Sequence, residues 1–402
     1  MSEANHTPQQ SYISRVRLKG YKSIVDTEVE LKPGLNIIIG PNGSGKTNFV
    51  EFLKNSPYIY FFGSAHECEI EGFMPQNRSF SYKRRVGEKR ITNGNEFVQK
   101  VKEEYFINDK RIEPESPEYD FQVGNPPYRI SGHHLPNLMF NLIQYGLPSN
   151  NIPLLDENLF LEGYWSLNTQ LPHFSKLVSN DAFSALTYGY VFSISTRILE
   201  EQRLSRSSFY LPEEFNQLKD SLRKFSYIND LRIDDGFSYH EKKIDTPDNS
   251  DKTEFSVNFL KLQFLTNNEW LYWNQLSDGT KRIFYIIANI ILTKGDNIKF
   301  LLEEPELGIH PHQLSRLMDF IQEQSESKQI ILTTHSPQVL NILDPDDLDR
   351  IIISRYDKEK GTQLYHLTEE EIRHARSYME AEGLFLSDFW VYSGFEREEE
   401  QV

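Results

Sequence analysis

Apolar and polar positions alternate from Tyr12 to Leu31 around Gly20, the period-two pattern of two short strands that each bury one face. The pattern then changes. The apolar run Leu35 to Ile39 stops at Gly40, which predicts a strand buried on both faces, and Thr47 to Leu53 can begin a helix directly after the glycine-rich turn. Two later runs, Phe300 to Leu302 and Ile330 to Leu332, end in polar residues, and a fourth, Ile351 to Ile353, follows the acidic turn Asp344 to Asp349. Strands separated by helical patterns predict a mainly parallel sheet with helices on its faces. Ligands in such sheets sit beyond the carboxyl ends of the strands.

The long interval between the first buried strand and the later ones must hold additions to that sheet. Ile70 to Ile112 mixes alternating charges with β-formers and reads as antiparallel strands. Asn158 to Asp230 reads as helical, with Pro212 at a helix start and Phe215, Leu218, Leu222 and Phe225 recurring at helical spacing. That stripe is packing rather than a cofactor box. No heptad pattern persists for four repeats, so no long coiled-coil arm is expected.

Composition narrows the function classes. The 402 residues carry 43 basic and 59 acidic side chains, a formal balance of −16 that argues against coating nucleic acid by charge alone. Cys68 is the sole cysteine, so an internal disulfide and a cysteine-based zinc cluster are both excluded, as fits a reducing cytoplasm. Met1 to Gln10 are polar and read as a disordered tail, not a signal peptide. The longest strongly apolar stretch, Ile283 to Leu292, is about half the ~20 residues needed to cross a bilayer. No membrane partner is expected, and a cytoplasmic location is.

The turn after the first buried strand, Gly40-Pro41-Asn42-Gly43-Ser44-Gly45-Lys46-Thr47, fits G-x-x-x-x-G-K-[ST]. Glycines let the backbone aim N–H groups at phosphate oxygens, Lys46 neutralises the terminal phosphates, and the Thr47 hydroxyl ligates Mg²⁺. Asn42, Gly43, Ser44, Gly45, Lys46, Thr47 and Asn48 are therefore the candidate contacts to ATP. The strand Phe300 to Leu302 runs into Glu303-Glu304-Pro305-Glu306, where Glu303 is assigned to Mg²⁺ and Glu304 to polarising the attacking water. His335 follows the next buried strand and is placed to sense the γ-phosphate. Leu276-Ser277-Asp278-Gly279-Thr280 precedes an amphipathic helix marked by Ile283, Ile286, Ile287, Ile290 and Ile291. Read alone, it is either an anion site or an ordinary helix cap.

The order of these motifs resembles the SMC and RecF-like branch of ABC ATPases, and is most similar to the OLD-family ATPases of bacterial phage-defence operons. Arg17-Leu18-Lys19-Gly20-Tyr21-Lys22-Ser23 resembles the opening strand and FKS element, which implies that Lys22 and Ser23 lie beside the nucleotide. Glu104 to Lys110 resembles a strand pair of the first lobe. Leu276 to Thr280 is similar to the ABC signature, implying that Ser277 and Gly279 bind the γ-phosphate held by a second copy in a head-to-head dimer. Leu307-Gly308-Ile309-His310 stands where the D-loop would. Glu303 replaces the aspartate of many ABC proteins. Leu154-Leu155-Asp156-Glu157 occupies the place of the Q-loop glutamine, and no aromatic residue to stack adenine can be named.

The resemblance implies an α/β fold of the P-loop NTPase, ABC type, with a mainly parallel sheet, an antiparallel subdomain and a helical insertion. The expected plan is a tail at 1–10, a first ATPase lobe at 11–157, the helical insertion at 158–230, a second lobe at 231–370, and a C-terminal helix with acidic tail at 371–402. ATP-driven head closure would control nucleic acid or a separate nuclease or effector subunit. A DNA-repair ATPase is the alternative, and a transporter subunit is disfavoured by Asp278-Gly279-Thr280. No TOPRIM pattern follows His335, so any nuclease is expected as a separate chain. The densest basic cluster, Lys83, Arg84, Arg85, Lys89 and Arg90, is either a solvated hairpin face or a contact to the phosphates of DNA or RNA.

Overall fold

A computed structural model describes residues 11–55, 66–74, 78–91, 97–112, 118–123, 141–146, 159–166, 172–177, 214–234, 236, 238–244, 252–260, 262–292, 298–382 and 385–393. The tail at 1–10, the acidic end 396–400 and Leu154 to Glu157 lie outside these residues, as do the side chains of Lys89 and Arg90.

The chain opens with β1 (Tyr12–Tyr21), β2 (Ile24–Glu30), β3 (Leu35–Ile39) and α1 (Lys46–Asn55). There follow β4 (Glu67–Met74), β5 (Arg78–Ile91), β6 (Phe97–Ile107), β7 (Lys110–Ile112), β8 (Glu118–Val123), β9 (Asn141–Gly146), β10 (Leu159–Ser166) and β11 (Pro172–Leu177). Then come α2 (Glu214–Phe225), β12 (Asp230–Ile233), β13 (Ser238–Ile244), β14 (Lys252–Leu260), β15 (Leu262–Thr266), β16 (Glu269–Tyr272) and α3 (Asp278–Leu292). The last third holds β17 (Ile298–Glu303), α4 (Pro311–Ser325), β18 (Gln329–Thr334), β19 (Ile351–Asp357), β20 (Gly361–His366), α5 (Glu369–Glu382) and α6 (Leu386–Ser393).

Two compact units result. The first comprises residues 1–146, 294–307 and 321–402, the second residues 147–293 and 308–320. The first is organised by a mixed sheet in the order β7-β6-β5-β4-β1-β2-β20-β19-β3-β18-β17-β9, with β8 also on β6. Its half from β19 to β9 is parallel, and the other half is antiparallel and continues the same sheet. The expected parallel sheet is thus one half of a mixed one. β3 is buried along its whole length because it has a strand on either side and packing on both faces.

The alternation read in Tyr12 to Leu31 sorts as expected. Val16 and Leu18 are buried in β1, while Arg15 and Arg17 point outward to Glu28 and Asp26 of β2, with Arg15 also 3.1 Å from Glu71 of β4. α1 buries Phe49, Val50, Phe52 and Leu53 in the same core, and the Phe52 ring meets Tyr21 edge-on. Each such side chain contributes about 1.5–3 kcal/mol of transfer free energy. Between β6 and β7, Asn108 and Asp109 both take positive φ (48° and 60°), the geometry of a tight hairpin turn.

In the second unit, β11-β10-β14-β13 form one antiparallel sheet and β12-β15-β16 another. This corrects the helical reading of 158–230. α2 is helical, with Phe215, Leu218, Leu222 and Phe225 buried, but Leu159 to Ser166 and Pro172 to Leu177 are strands. The reason is that β10 pairs with β14, far along the chain, and a local pattern does not show such a partner. α3 also differs from expectation. Phe284, Tyr285, Ala288 and Asn289 are buried together with Ile283, Ile286, Ile287 and Ile290, so it is a core helix rather than one with a wet face.

One polar side chain ties the first unit's sheet at the end away from the strands' carboxyl termini. Gln329 accepts from Ile13 N at 2.8 Å and donates to Ile13 O at 2.8 Å and Lys32 O at 3.0 Å, although the residue is only 2% exposed. Replacing it leaves buried backbone groups without partners. Gln329→Ala should lower unfolding free energy by about 2–4 kcal/mol, read from urea denaturation, whereas an unchanged midpoint would show that water takes over its bonds.

Candidate nucleotide site

The parallel half of the sheet sets the site's geometry. β3 lies between β18 and β19, and β17 lies on the far side of β18. Thr333 is level with Glu303 on one neighbour and with Ile38 on the other. The glycine loop, the acidic pair and His335 therefore leave adjacent strands at the same edge. This is the crevice beyond the carboxyl ends where such sheets hold ligands.

The loop has the backbone that its sequence requires. Gly43 and Gly45 take φ of 84° and 99°, in the left-handed region that disfavours side chains. Two close approaches fix it from beneath. A Cβ on Gly40 would stand 2.2 Å from the Ser354 carbonyl, and one on Gly45 would stand 2.0 Å from the Thr362 hydroxyl. Lys46 is 5% exposed and starts α1, with its ammonium donating to the carbonyls of Gly40 at 2.6 Å and Pro41 at 3.0 Å. Asn42, Gly43 and Thr47 are exposed, whereas Ser44 is buried and its carbonyl accepts from the Ser354 hydroxyl at 3.2 Å.

Lys22 and Ser23 flank the helix that follows the loop. Ser23 Oγ accepts from Asn48 Nδ2 at 2.6 Å and lies 2.7 Å from the Thr362 hydroxyl, so the turn between β1 and β2, β20 and α1 are joined at one point. Lys22, at φ 51°, pairs with Glu51 of α1. Asn48 in turn faces Ser23.

The acidic corner is more constrained than its sequence suggests. Glu303 closes β17, and Glu304 adopts φ 42°, strained for a side chain with a Cβ, while its N–H donates to Thr333 O at 2.8 Å. His335 Nδ1 stands 3.4 Å from Glu304 and 3.7 Å from Glu306. Glu306 was not singled out from the sequence, yet it is the most buried of these acids. Its carboxylate accepts from the Thr334 hydroxyl, which also accepts from Ser336 N at 2.9 Å, so Glu306 fixes the backbone on both sides of His335. Burial holds the Glu306 carboxyl above its ordinary value, opposed by the Thr334 hydrogen bond. Thr362 was likewise missed, because it lies hundreds of positions from the residues it joins.

Ser277 and Gly279 belong to the second unit. Ser277 Oγ accepts from Thr280 N at 3.2 Å and lies 2.8 Å from its hydroxyl, so it caps α3. Gly279 packs against the Gly308 carbonyl, which a Cβ would approach to 2.5 Å. In the basic cluster, Lys83 pairs with Glu69 and Arg85 lies 3.6 Å from Glu67, both on β4. The described part of that cluster is therefore largely compensated.

The residues suit a nucleoside triphosphate. The donors at the loop are backbone amides and one buried ammonium, and Gly43 has nothing within 4 Å of the position a Cβ would take. Among the described residues no group of three His, Cys, Asp or Glu side chains could hold a metal alone. A Mg²⁺ would thus be held by Thr47 and Glu303 with phosphate oxygens, the donor set this ion takes when bound with a nucleotide. Among the described residues no helix is long and apolar enough to cross a membrane.

Residues 35–341 match the family described as "AAA domain, putative AbiEii toxin, Type IV TA system". The chain belongs to this AAA family. It is similar to an ATP/GTP phosphatase of Helicobacter pylori, 23% identical over 381 residues that cover 89% of this chain and 93% of that one. A 42-residue stretch is 50% identical to the DNA replication and repair protein RecF of Corynebacterium jeikeium, covering 10% of each chain, so the match spans a tenth of that relative's length. A solved Smc head bound to the C-winged helix domain of ScpA is 12% identical and covers 90% of this chain and 99% of that one, at a TM-score of 0.44. The fold class, a P-loop α/β ATPase, stands on the strand order and this AAA family membership.

Glu306 gives the site a stability signature. Its folded carboxyl binds a proton more tightly than in the unfolded chain, so its contribution is full below the unfolded value of 4.5 and is lost as pH rises through the folded value. The thermal midpoint of wild type minus that of Glu306→Gln should fall as pH rises above about 4.5. Parallel melting curves across pH would show that burial does not perturb this acid.

Proposed function

We propose that this AAA-family chain hydrolyses ATP, and that a second copy of the chain completes each nucleotide site. What supports the reading above all is the common edge of β3, β18 and β17, where a phosphate-binding loop, two successive carboxylates and a histidine meet. Lys46 would leave its loop carbonyls for the β and γ phosphates, and Thr47 with Glu303 would hold Mg²⁺ together with phosphate oxygens. The metal supplies neutralisation of phosphate charge. Glu304, held at an unusual φ by the strand end, orients the attacking water, and His335 between two carboxylates contacts the γ-phosphate.

Ser277 and Gly279 complete the site in trans. Ser277 is exposed at the N-terminus of α3, where free amides and the helix dipole favour a phosphate. Head closure around ATP then controls a separate effector or nuclease, as in OLD-like phage defence. A second reading, an ATPase acting on DNA in repair, is favoured by the RecF match. The pairing of Lys83 and Arg85 with β4 carboxylates makes direct phosphate contact at that cluster the weaker route to nucleic acid.

Glu304→Gln should bind ATP as wild type does and hydrolyse it at least about 100-fold more slowly, measured by calorimetry and phosphate release. Wild-type turnover would remove Glu304 from the reaction. Lys46→Ala should instead lose affinity for ATP, and unchanged binding would count against the loop.

Shared sites make a separate prediction. Ser277→Arg and Lys46→Ala chains should each be inactive alone, and mixing them should restore part of the activity. The mixed dimer has one interface with Lys46 and Ser277 both intact. No rescue at any ratio would leave Ser277 as a helix cap within its own chain.

A further inference from the structure

None of the residues described at the loop so far would meet a nucleobase, yet the fold presents an exposed aromatic side chain beside it. Glu304 and His335, to which the proposed function assigns the γ-phosphate end, lie on the β18 and β17 side of β3. A nucleotide lying across the loop must then extend its sugar and base the other way, over β19 and β20. Both strands support the loop from that side. Ser354 of β19 touches Gly40 and Ser44, and Thr362 of β20 touches Gly45 and Ser23.

Tyr356 stands two residues beyond Ser354, on the same face, because alternate residues of a strand share a side. It is also directly paired with Thr362, so its side chain emerges beside the one that abuts Gly45. β19 runs parallel to β3, which places Tyr356 toward the nucleotide edge, about 7 Å past Ser354 at the ordinary strand rise. The turn after it is held firmly. Asp357 Oδ1 accepts from Glu359 N and Lys360 N, both at 2.7 Å. Nevertheless Tyr356 is 56% exposed, and its ring makes no aromatic contact or hydrogen bond among the described residues.

An exposed aromatic ring beside a phosphate loop, carried on a paired strand, has a simple use. We propose that Tyr356 stacks on the base of the bound nucleoside triphosphate, an inference that rests on the phosphate-loop reading and assigns its missing base subsite. Stacking uses the ring face and makes no hydrogen-bond readout, so Tyr356 alone supports adenine and guanine alike. Phenylalanine should serve as well as tyrosine.

The test compares ligands with and without a base, titrated into the full chain with Mg²⁺ and followed by calorimetry. Tyr356→Ala should weaken ATP and GTP by about tenfold, should leave inorganic tripolyphosphate binding unchanged, and should be rescued by Tyr356→Phe. The subsite is overturned if Tyr356→Ala binds ATP as wild type does, or if it loses tripolyphosphate in parallel, which would mean a disturbed loop. It is also overturned if wild type binds tripolyphosphate as tightly as ATP. Failure of the wild-type chain to bind either ligand would instead remove the phosphate-loop reading, and the base subsite with it.

Discussion

The site depends on the parallel registration of β3 between β18 and β19. Ile37 is level with Leu332 on one side and Ile351 on the other, so β3 and β18 end together at Ile39 and Thr334 while β19 runs on to Asp357. Because every residue of β3 and β18 is buried, neither strand can slip without exposing apolar side chains or orphaning ladder hydrogen bonds. The polar residues beyond their ends inherit that rigidity. Gly40 N reaches Thr334 O at 3.4 Å, and Glu304 N reaches Thr333 O at 2.8 Å, which extends the ladder into the loops to which the proposed chemistry is assigned.

Those loops hold strain that the sheet makes tolerable. Lys22 and Glu304 are non-glycine residues at φ of 51° and 42°, and both lie at strand ends next to the phosphate loop. Such conformations cost of order 1–3 kcal/mol each and persist only where the surroundings leave no alternative. Around Glu304 the constraint is visible. Its N–H is committed to Thr333, its carbonyl accepts from Leu307 N at 3.2 Å, and Glu306 two residues on is anchored by Thr334. The left-handed turn leaves the Glu304 carboxylate partly exposed beside His335 while that of Glu306 is buried.

Local signals made much of this legible. The glycine spacing of the loop is a backbone requirement written directly in sequence, and buried strands announce themselves as short apolar runs ended by polar residues. What stayed hidden depends on long-range pairing. β9, Asn-Leu-Ile-Gln-Tyr-Gly, has a polar residue at its centre and reveals itself only by lying parallel to β17. β10 looked helical because its partner β14 is remote. Lys299 shows the same limit within a strand that was recognised. It precedes the apolar run, yet it is fully buried with its ammonium 2.9 Å from Ser11 Oγ, and burial pushes its pKa down to about 7. Glu306 and Thr362 belong to this class too, since nothing in the spacing of Glu303-Glu304-Pro305-Glu306 says which acid turns inward.

The division of labour between the acids bears on how such a site would respond to its ligand. Glu306 meets Thr334 and stands near His335, and Thr334 through its carbonyl meets the first glycine of the loop. A displacement of His335 by a γ-phosphate would therefore be felt at Glu306. Two residues later Gly308, at φ 72°, presents its carbonyl to Gly279 at the start of α3. That approach is possible only because Gly279 has no side chain. The same glycine that would meet a phosphate in trans is thus already required in cis, by packing against the segment that leads back to the acids.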